Sequence, residues 1–300
     1  MWSPRQSPGP RMRRWEGDVR VLIVPNTANP AAVDAAGRIV EWLGAEGVDG
    51  VLLAEDAVAA GLQANSVSAA DLGRPDLVVA LGGDGTILKA VHRMGEVDSP
   101  VLGVKFGRLG FMSGARPETM FEAMRKAMDG DVRIERRSTL AVEVVMEGRV
   151  VGVYRALNEV VLSRGASGRV IGIDLAVSGQ HLTRMHADGV IVATATGSTA
   201  YALSAGGPII APGFRGTVIV PVAAHSLKAR PIVVDEGDVV EIGLHDPRRS
   251  DACVIVDGDV TPCRRSIERV TVRTGEHDVA LVKLEGRDFF ETVSAEFFGA

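Results

Sequence analysis

The feature that most restricts this chain is a change of rhythm near Gly130. Before it, buried strand-like runs alternate with helical stretches; after it, strands follow strands. Strands are expected over 19–25, 50–54, 76–81 and 100–104. Helices are expected over 31–44 (opened by Asn29-Pro30), from Thr86 to about Met94, and from Pro117 to about Met128. Short apolar strands that alternate with helices predict a parallel sheet covered on both faces. Beyond Gly130, strand patterns recur over 139–146, 149–155, 157–162, 170–177, 189–193, 217–222, 239–244, 253–256, 270–273 and 279–284, with Gly and Asp turns between them. That spacing predicts a mainly antiparallel β domain, with helical character only at 198–205 and 289–298. The fold class is therefore an α/β N-terminal domain plus a mainly antiparallel β C-terminal domain. The expected division is a disordered extension over 1–18, an α/β domain over 19–130, a β-rich domain over 131–286 and a helical tail over 287–300.

Composition narrows the function classes. The 300 residues carry 33 Lys+Arg against 38 Asp+Glu, a net charge of -5. Such a surface repels phosphate backbones, which argues against a nucleic-acid partner. The longest apolar runs, such as 218–224, fall far short of the roughly 18 residues that a membrane helix needs. The N-terminal stretch mixes arginine with proline and has no apolar core of a signal peptide; Met1 and Met12 are both candidate starts. Cys253 and Cys263 make neither a disulfide framework nor a zinc site, and the six histidines lack metal-binding spacing. A reduced, cytoplasmic setting is expected. Aromatics are only 4% beside 35 glycines, which suits recognition by loop backbone.

Four segments carry chemistry. Gly82-Gly83-Asp84-Gly85-Thr86 joins a buried strand to a helix, where N–H groups and the helix dipole favour phosphate. It is neither Walker A nor G-x-G-x-x-G, because Asp84 takes the second glycine position. A carboxylate repels phosphate, so it needs a purpose: accepting a hydroxyl proton or holding Mg²⁺. The plain alternative makes it a helix N-cap. Residues 193–208 pack hydroxyls and small residues after a strand, as a close-fitting polar pocket would. Asn158-Glu159 interrupts an apolar strand; successive residues face opposite ways, so a local distortion or a half-exposed strand is required. Asp188-Gly189 opens the strand leading to the hydroxyl loop. Asp257-Gly258-Asp259 reads as a hairpin turn.

In order and spacing, these segments resemble the NAD kinase family over about 19–298. The family's G-G-D-G-T stands as Gly82 to Thr86, its glycine-rich L-G-x-N-x-G-x-L-G-F as 102–111, its N-E as Asn158-Glu159 and its D-G as Asp188-Gly189. Its long T-P-T-G-S-T-A-Y motif stands from Thr194, and its R-P-I-V as 230–233. The resemblance implies phosphoryl transfer from ATP or polyphosphate to the adenosine-ribose 2′-hydroxyl of NAD, giving NADP, with Mg²⁺ or another divalent cation on the donor. It implies Asp84 as general base, and Gly82, Gly83, Gly85 and Thr86 as the phosphate loop. Lys89, Asn158, Glu159, Arg169, His186, Asp188, Thr199, Ala200, Tyr201 and Ser204 would bind substrate. No metal has dedicated protein ligands, the site lies in a cleft between the domains, and the enzyme is a homo-oligomer, dimer or tetramer.

Three positions depart from the family. Lys105 replaces an Asn or His, Ala195 a Pro, and Asp259 a Gln. His186 lies at a variable position that bears on donor choice. Tyr201 and Phe111 are the aromatics expected to pack against a flat ring. Two alternatives stay open on the residues: a paralogous kinase for another nucleoside or hydroxyl acceptor, and a non-catalytic NAD(P)-binding regulator.

Overall fold

A computed structural model describes residues 12, 15, 17–107, 110–248, 250–262, 267–284 and 289–299. They form two compact units. One is drawn from Met1–Arg136 and Val279–Ala300, the other from Arg137–Asp278.

The first unit is built on a seven-stranded sheet. Its strand order is Ser66–Val67, Asp49–Leu53, Arg20–Pro25, Leu77–Gly82, Val101–Lys105, Val279–Lys283 and Arg133–Arg137. The inner strands pair in parallel, with Val21 beside Leu77 and Val78 beside Val101. They are buried on both faces, as near-continuous Val and Leu runs require. Helix Pro30–Ala45 begins where the Asn29 side chain accepts the Ala31 N–H at 3.1 Å, and it buries Ala32, Ala35, Ala36, Ile39 and Leu43. From Arg20–Pro25 the chain moves to one side of the sheet, and from Leu77–Gly82 to the other. Ligands of open α/β sheets bind at the carboxyl ends of two such strands, and here those ends are Pro25 and Gly82.

Strand Val279–Lys283 differs from expectation. The sequence predicts it in the β-rich domain, yet Leu281 pairs in parallel with Val101. Its uninterrupted apolar run, Val-Ala-Leu-Val, is buried throughout, as an inner strand of a parallel sheet must be. The expected extension over 1–18 falls mostly outside the described residues. Met12 and Trp15 are described, and they dock: their N–H groups donate to Val132 O at 3.2 Å and Met128 O at 3.1 Å, and Met12 joins the core. Cys263 lies outside the described residues.

The second unit is a sandwich of two antiparallel six-stranded sheets. One runs Gln180–Ala187, Ile171–Val177, Val240–Leu244, Ile267–Thr274, Leu140–Met146, Arg149–Ala156. The other runs Ile232–Val234, Thr217–Val222, Gly189–Ala193, Glu159–Arg164, Ala252–Val256, Asp259–Val260. Val142, Val144, Ile173 and Val270 from the first meet Val160, Leu162, Val192 and Val254 from the second in one core. The second sheet is apolar on its outer face too: Val161, Ile191, Val218 and Val220 pack with Ala202 of the short helix Tyr201–Ser204. The predicted helix over 198–205 is thus one 3₁₀ turn, Gly197–Thr199, followed by a single α turn.

Candidate functional site

In the first unit, register assembles the loop. Gly82 pairs with Lys105 across two parallel strands, and Phe106 N–H donates to Gly82 O at 3.0 Å. The glycine-rich segment therefore lies beside the Gly-Gly-Asp loop. A Cβ on Gly82 would collide with Thr86 Oγ1 and come within 3.0 Å of Asn26 Cβ, so this position has no room for a side chain. Helix Asp84–Met94 starts at Gly83, and no side chain among the described residues caps it. Thr86 and Ile87 N–H bond Gly83 O; those of Asp84 and Gly85 precede the first such bond and face out of the helix end. Asp84 is therefore not the N-cap. Its carboxylate lies 3.4 Å from Lys105 Nζ and against the Cα of Gly110, where any Cβ would overlap both its oxygens.

Lys89, expected at the substrate, is engaged elsewhere. It lies 2.7 Å from Asp56, a buried carboxylate that also holds Arg93 at 2.7 Å. One turn of helix carries Lys89 past the loop to the neighbouring helix, Ala54–Ala60. Phe111 does not present a free ring either: it packs on Phe289 at 5.7 Å and stacks on Phe297 at 6.2 Å.

In the second unit, Asn158 and Glu159 are 8% and 7% exposed, so the half-exposed strand is wrong. The distortion is real, and its cause is Asp257. That carboxylate accepts the backbone N–H groups of Leu157 at 2.7 Å, Asn158 at 2.7 Å and Glu159 at 3.0 Å, and Asp257 N–H returns a bond to Glu159 O at 2.9 Å. The expected hairpin turn is present, with φ of 47° at Asp257 and 91° at Gly258. Asn158 Oδ1 and Glu159 Oε2 have no hydrogen-bond partner among the described residues. Buried polar atoms in that state are costly, and a bound polar group would relieve them. Burial, and then the Asp257 charge, push the Glu159 carboxyl up to about 7.

The hydroxyl loop is mostly internal structure. Thr194 Oγ1 donates to Leu157 O at 2.6 Å and accepts from Gly197 N at 3.1 Å; Ser198 Oγ donates to Ala195 O at 2.7 Å and accepts from Ile210 N at 2.9 Å. A Cβ on Gly197 would collide with Asn158 O, so the loop and the Asn158-Glu159 bend fit only with glycine there. Thr199 and Ala200 are half-buried, while Tyr201 and Ser204 are exposed. Asp188 lies 2.8 Å from Arg164 Nε. With Tyr201, Ser163, Val161, Gly189 and Val222 these two line a pocket of about 260 Å³. Arg169 and His186 are exposed, away from that lining, and His186 contributes its carbonyl to His225 N–H at 2.8 Å.

Sequence reasoning missed Asp257 and Arg164. The only signal for Asp257 was its turn, which hides a clamp on residues a hundred positions away. Arg164 gave none.

Comparisons with known proteins place the whole chain in a family. A model of the ATP-NAD kinase N-terminal domain matches residues 21–132, and one of the C-terminal domain matches 157–284. The NAD kinase of Geobacter sp. (strain M21) is 34% identical over 91% of this chain and 96% of its own. That of Chromohalobacter salexigens is 34% identical over 90% and 93%. Yeast NADH kinase, solved with NADH, superposes with a TM-score of 0.86 at 25% identity, covering 95% of this chain and 88% of its own. An NAD kinase from Archaeoglobus fulgidus, solved with ATP, gives 0.71 at 26% identity over 94% and 98%.

Proposed function

Because the chain belongs to the NAD kinase family and phosphorylates NAD to NADP, we propose how its own residues divide that work. The acceptor is the adenosine-ribose 2′-hydroxyl and the donor is ATP. Asp84 accepts the hydroxyl proton as the ribose oxygen bonds to the terminal phosphorus. The P–O bond to ADP breaks, and its electron pair leaves on the ADP oxygen. The observation that carries this is the placement of Asp84. It stands uncapped at a helix start, on a glycine loop at the sheet's switch point, with the outward N–H groups of that turn beside it.

Asn158 and Glu159 hold the nucleotide through the two buried acceptors described above. Asp188 and Tyr201 hold the other end in the pocket they line. Thr199, Ala200 and Ser204 flank Tyr201 in sequence and would support it there, while Arg169 and His186, exposed and outside that lining, are given no contact with the substrate. Lys89 is withdrawn from direct contact, because its charge is already matched by Asp56. The described residues hold no cluster of three His, Cys, Asp or Glu side chains placed for a metal. Asp84 is the acidic side chain of the loop, which fits a cation carried on the donor phosphates. When bound, such a cation neutralises phosphate charge. No helix among the described residues is long and apolar enough to cross a membrane, and a cytoplasmic enzyme is proposed.

A coupled NADP-formation assay tests the assignment. Purified protein is given NAD, NADH or other nucleosides with ATP or polyphosphate. NADP formation from NAD and ATP is expected; turnover of another acceptor with no NADP would overturn it.

A further inference from the structure

A carboxylate in a phosphate loop presents a difficulty, since Asp84 repels the triphosphate that the loop amides attract. The fold places one ammonium to resolve it. Strand register sets Lys105 beside Gly82. Its Nζ lies 3.4 Å from Asp84 and 3.5 Å from where a Gly83 side chain would begin, so the charge hangs over the loop backbone. The side chain is only 18% exposed, with its stem packed and its tip at the loop. Its hold on Asp84 is loose: charge-assisted bonds settle near 2.7–2.9 Å, the length at which Asp56 grips both Lys89 and Arg93. Those two cations are committed, while Lys105 is poised to exchange its partner.

Building on the proposed function, we propose that Lys105 is a further catalytic residue, one that receives the terminal phosphate of the donor. Its ammonium rests on Asp84 until the donor arrives, then donates hydrogen bonds to non-bridging oxygens of the transferring phosphoryl group. Lys105 keeps all its protons. The ribose proton still goes to Asp84, and the electron pair of the broken bond still leaves on ADP. Lys105 thus offsets the loop's own negative charge and stabilises the charge spread over the phosphoryl oxygens in transit.

The test separates donor from acceptor. Binding of tripolyphosphate, and of ATP without NAD, is measured by calorimetry for the wild type, Lys105→Met and Lys105→Arg. The kcat and both KM values are then determined. Lys105→Met is expected to weaken tripolyphosphate about 10-fold or more, as loss of a charged hydrogen bond does. It should raise the KM for ATP and lower kcat by about 10²-fold, with the KM for NAD within about 3-fold. Lys105→Arg should restore part of both. Unchanged tripolyphosphate affinity and unchanged KM for ATP overturn the proposal, even if kcat falls, because Lys105 would then act only by placing Asp84. If Lys105→Met does not fold, Lys105→Gln takes its place under the same criteria. If the wild type makes no NADP but Lys105→Met still loses tripolyphosphate, the role of Lys105 stands and the proposed reaction fails.

Discussion

Two carboxylates, one in each unit, are held in opposite ways. Asp84 is about a third exposed, with an ammonium 3.4 Å away and outward helix amides beside it. Glu159 is buried, has an oxygen without a partner among the described residues, and has a second carboxylate, Asp257, as its charged neighbour. The first setting is open to solvent and to a ligand, and it suits a group that must exchange a proton during each turnover. The second penalises charge and suits a group that meets a ligand's polar edge. The difference shows that a site carboxylate is defined less by its motif than by what surrounds it.

The largest expected effect is at Asp84. Asp84→Asn should lower kcat by about 10²–10⁴ while NAD affinity stays within a few-fold, read by steady-state kinetics and equilibrium binding. A near-normal rate would remove the contrast between the two carboxylates. Next is the clamp. Asp257→Ala removes the acceptor of three backbone N–H groups and should cost about 3–5 kcal/mol in denaturant unfolding. Asp257→Asn keeps the left-handed turn and half the acceptors, and should cost less.

A third prediction concerns pH. The Glu159 carboxyl is raised from 4.5 to about 7 in the folded chain. Below pH 4.5 both folded and unfolded chains hold the proton, so the group contributes nothing. Between pH 4.5 and 7 the unfolded chain ionises first, so stability falls as pH rises. Glu159→Gln should therefore gain up to about 3 kcal/mol over wild type at pH 8 and nothing at pH 4. An equal gain at both pH values would mean that burial, not charge, governs this site. The smallest effect sharpens the other side. Gly110→Ala forces a methyl group against the Asp84 oxygens and should lower kcat about 10-fold by displacing them, with little change in melting temperature.

Local patterns made most of the fold legible. The buried runs at Leu77–Gly82 and Val101–Lys105, the Asn29 cap and the Asp257-Gly258 turn all act over a few residues, and each could be read from them. What escaped depends on pairing across long separations. Val279–Lys283 looks like any other strand until its parallel partner is known. Lys89 looked available because Asp56, its partner, lies on another helix. At the site, sequence singled out Asp84, Asn158, Glu159 and Asp188. It could not supply the neighbours that set their character, Lys105 against Asp84, Asp257 beneath Asn158-Glu159 and Arg164 on Asp188. Sequence marked Lys105 as a departure from the family pattern, but only strand register gave it a place.

The late strand has a consequence for synthesis. During translation, the start of Val101–Lys105 emerges with one edge bare, because Gly114 and Ala115 cover only its end and the strand that pairs with Val101 follows the whole of Arg137–Asp278. The later unit is a single unbroken stretch and can close on itself while the earlier one waits. The nascent chain therefore carries an open parallel edge, the kind that recruits stray strands. The segment that finally seals it is short and apolar, and it leaves the ribosome only after that whole unit.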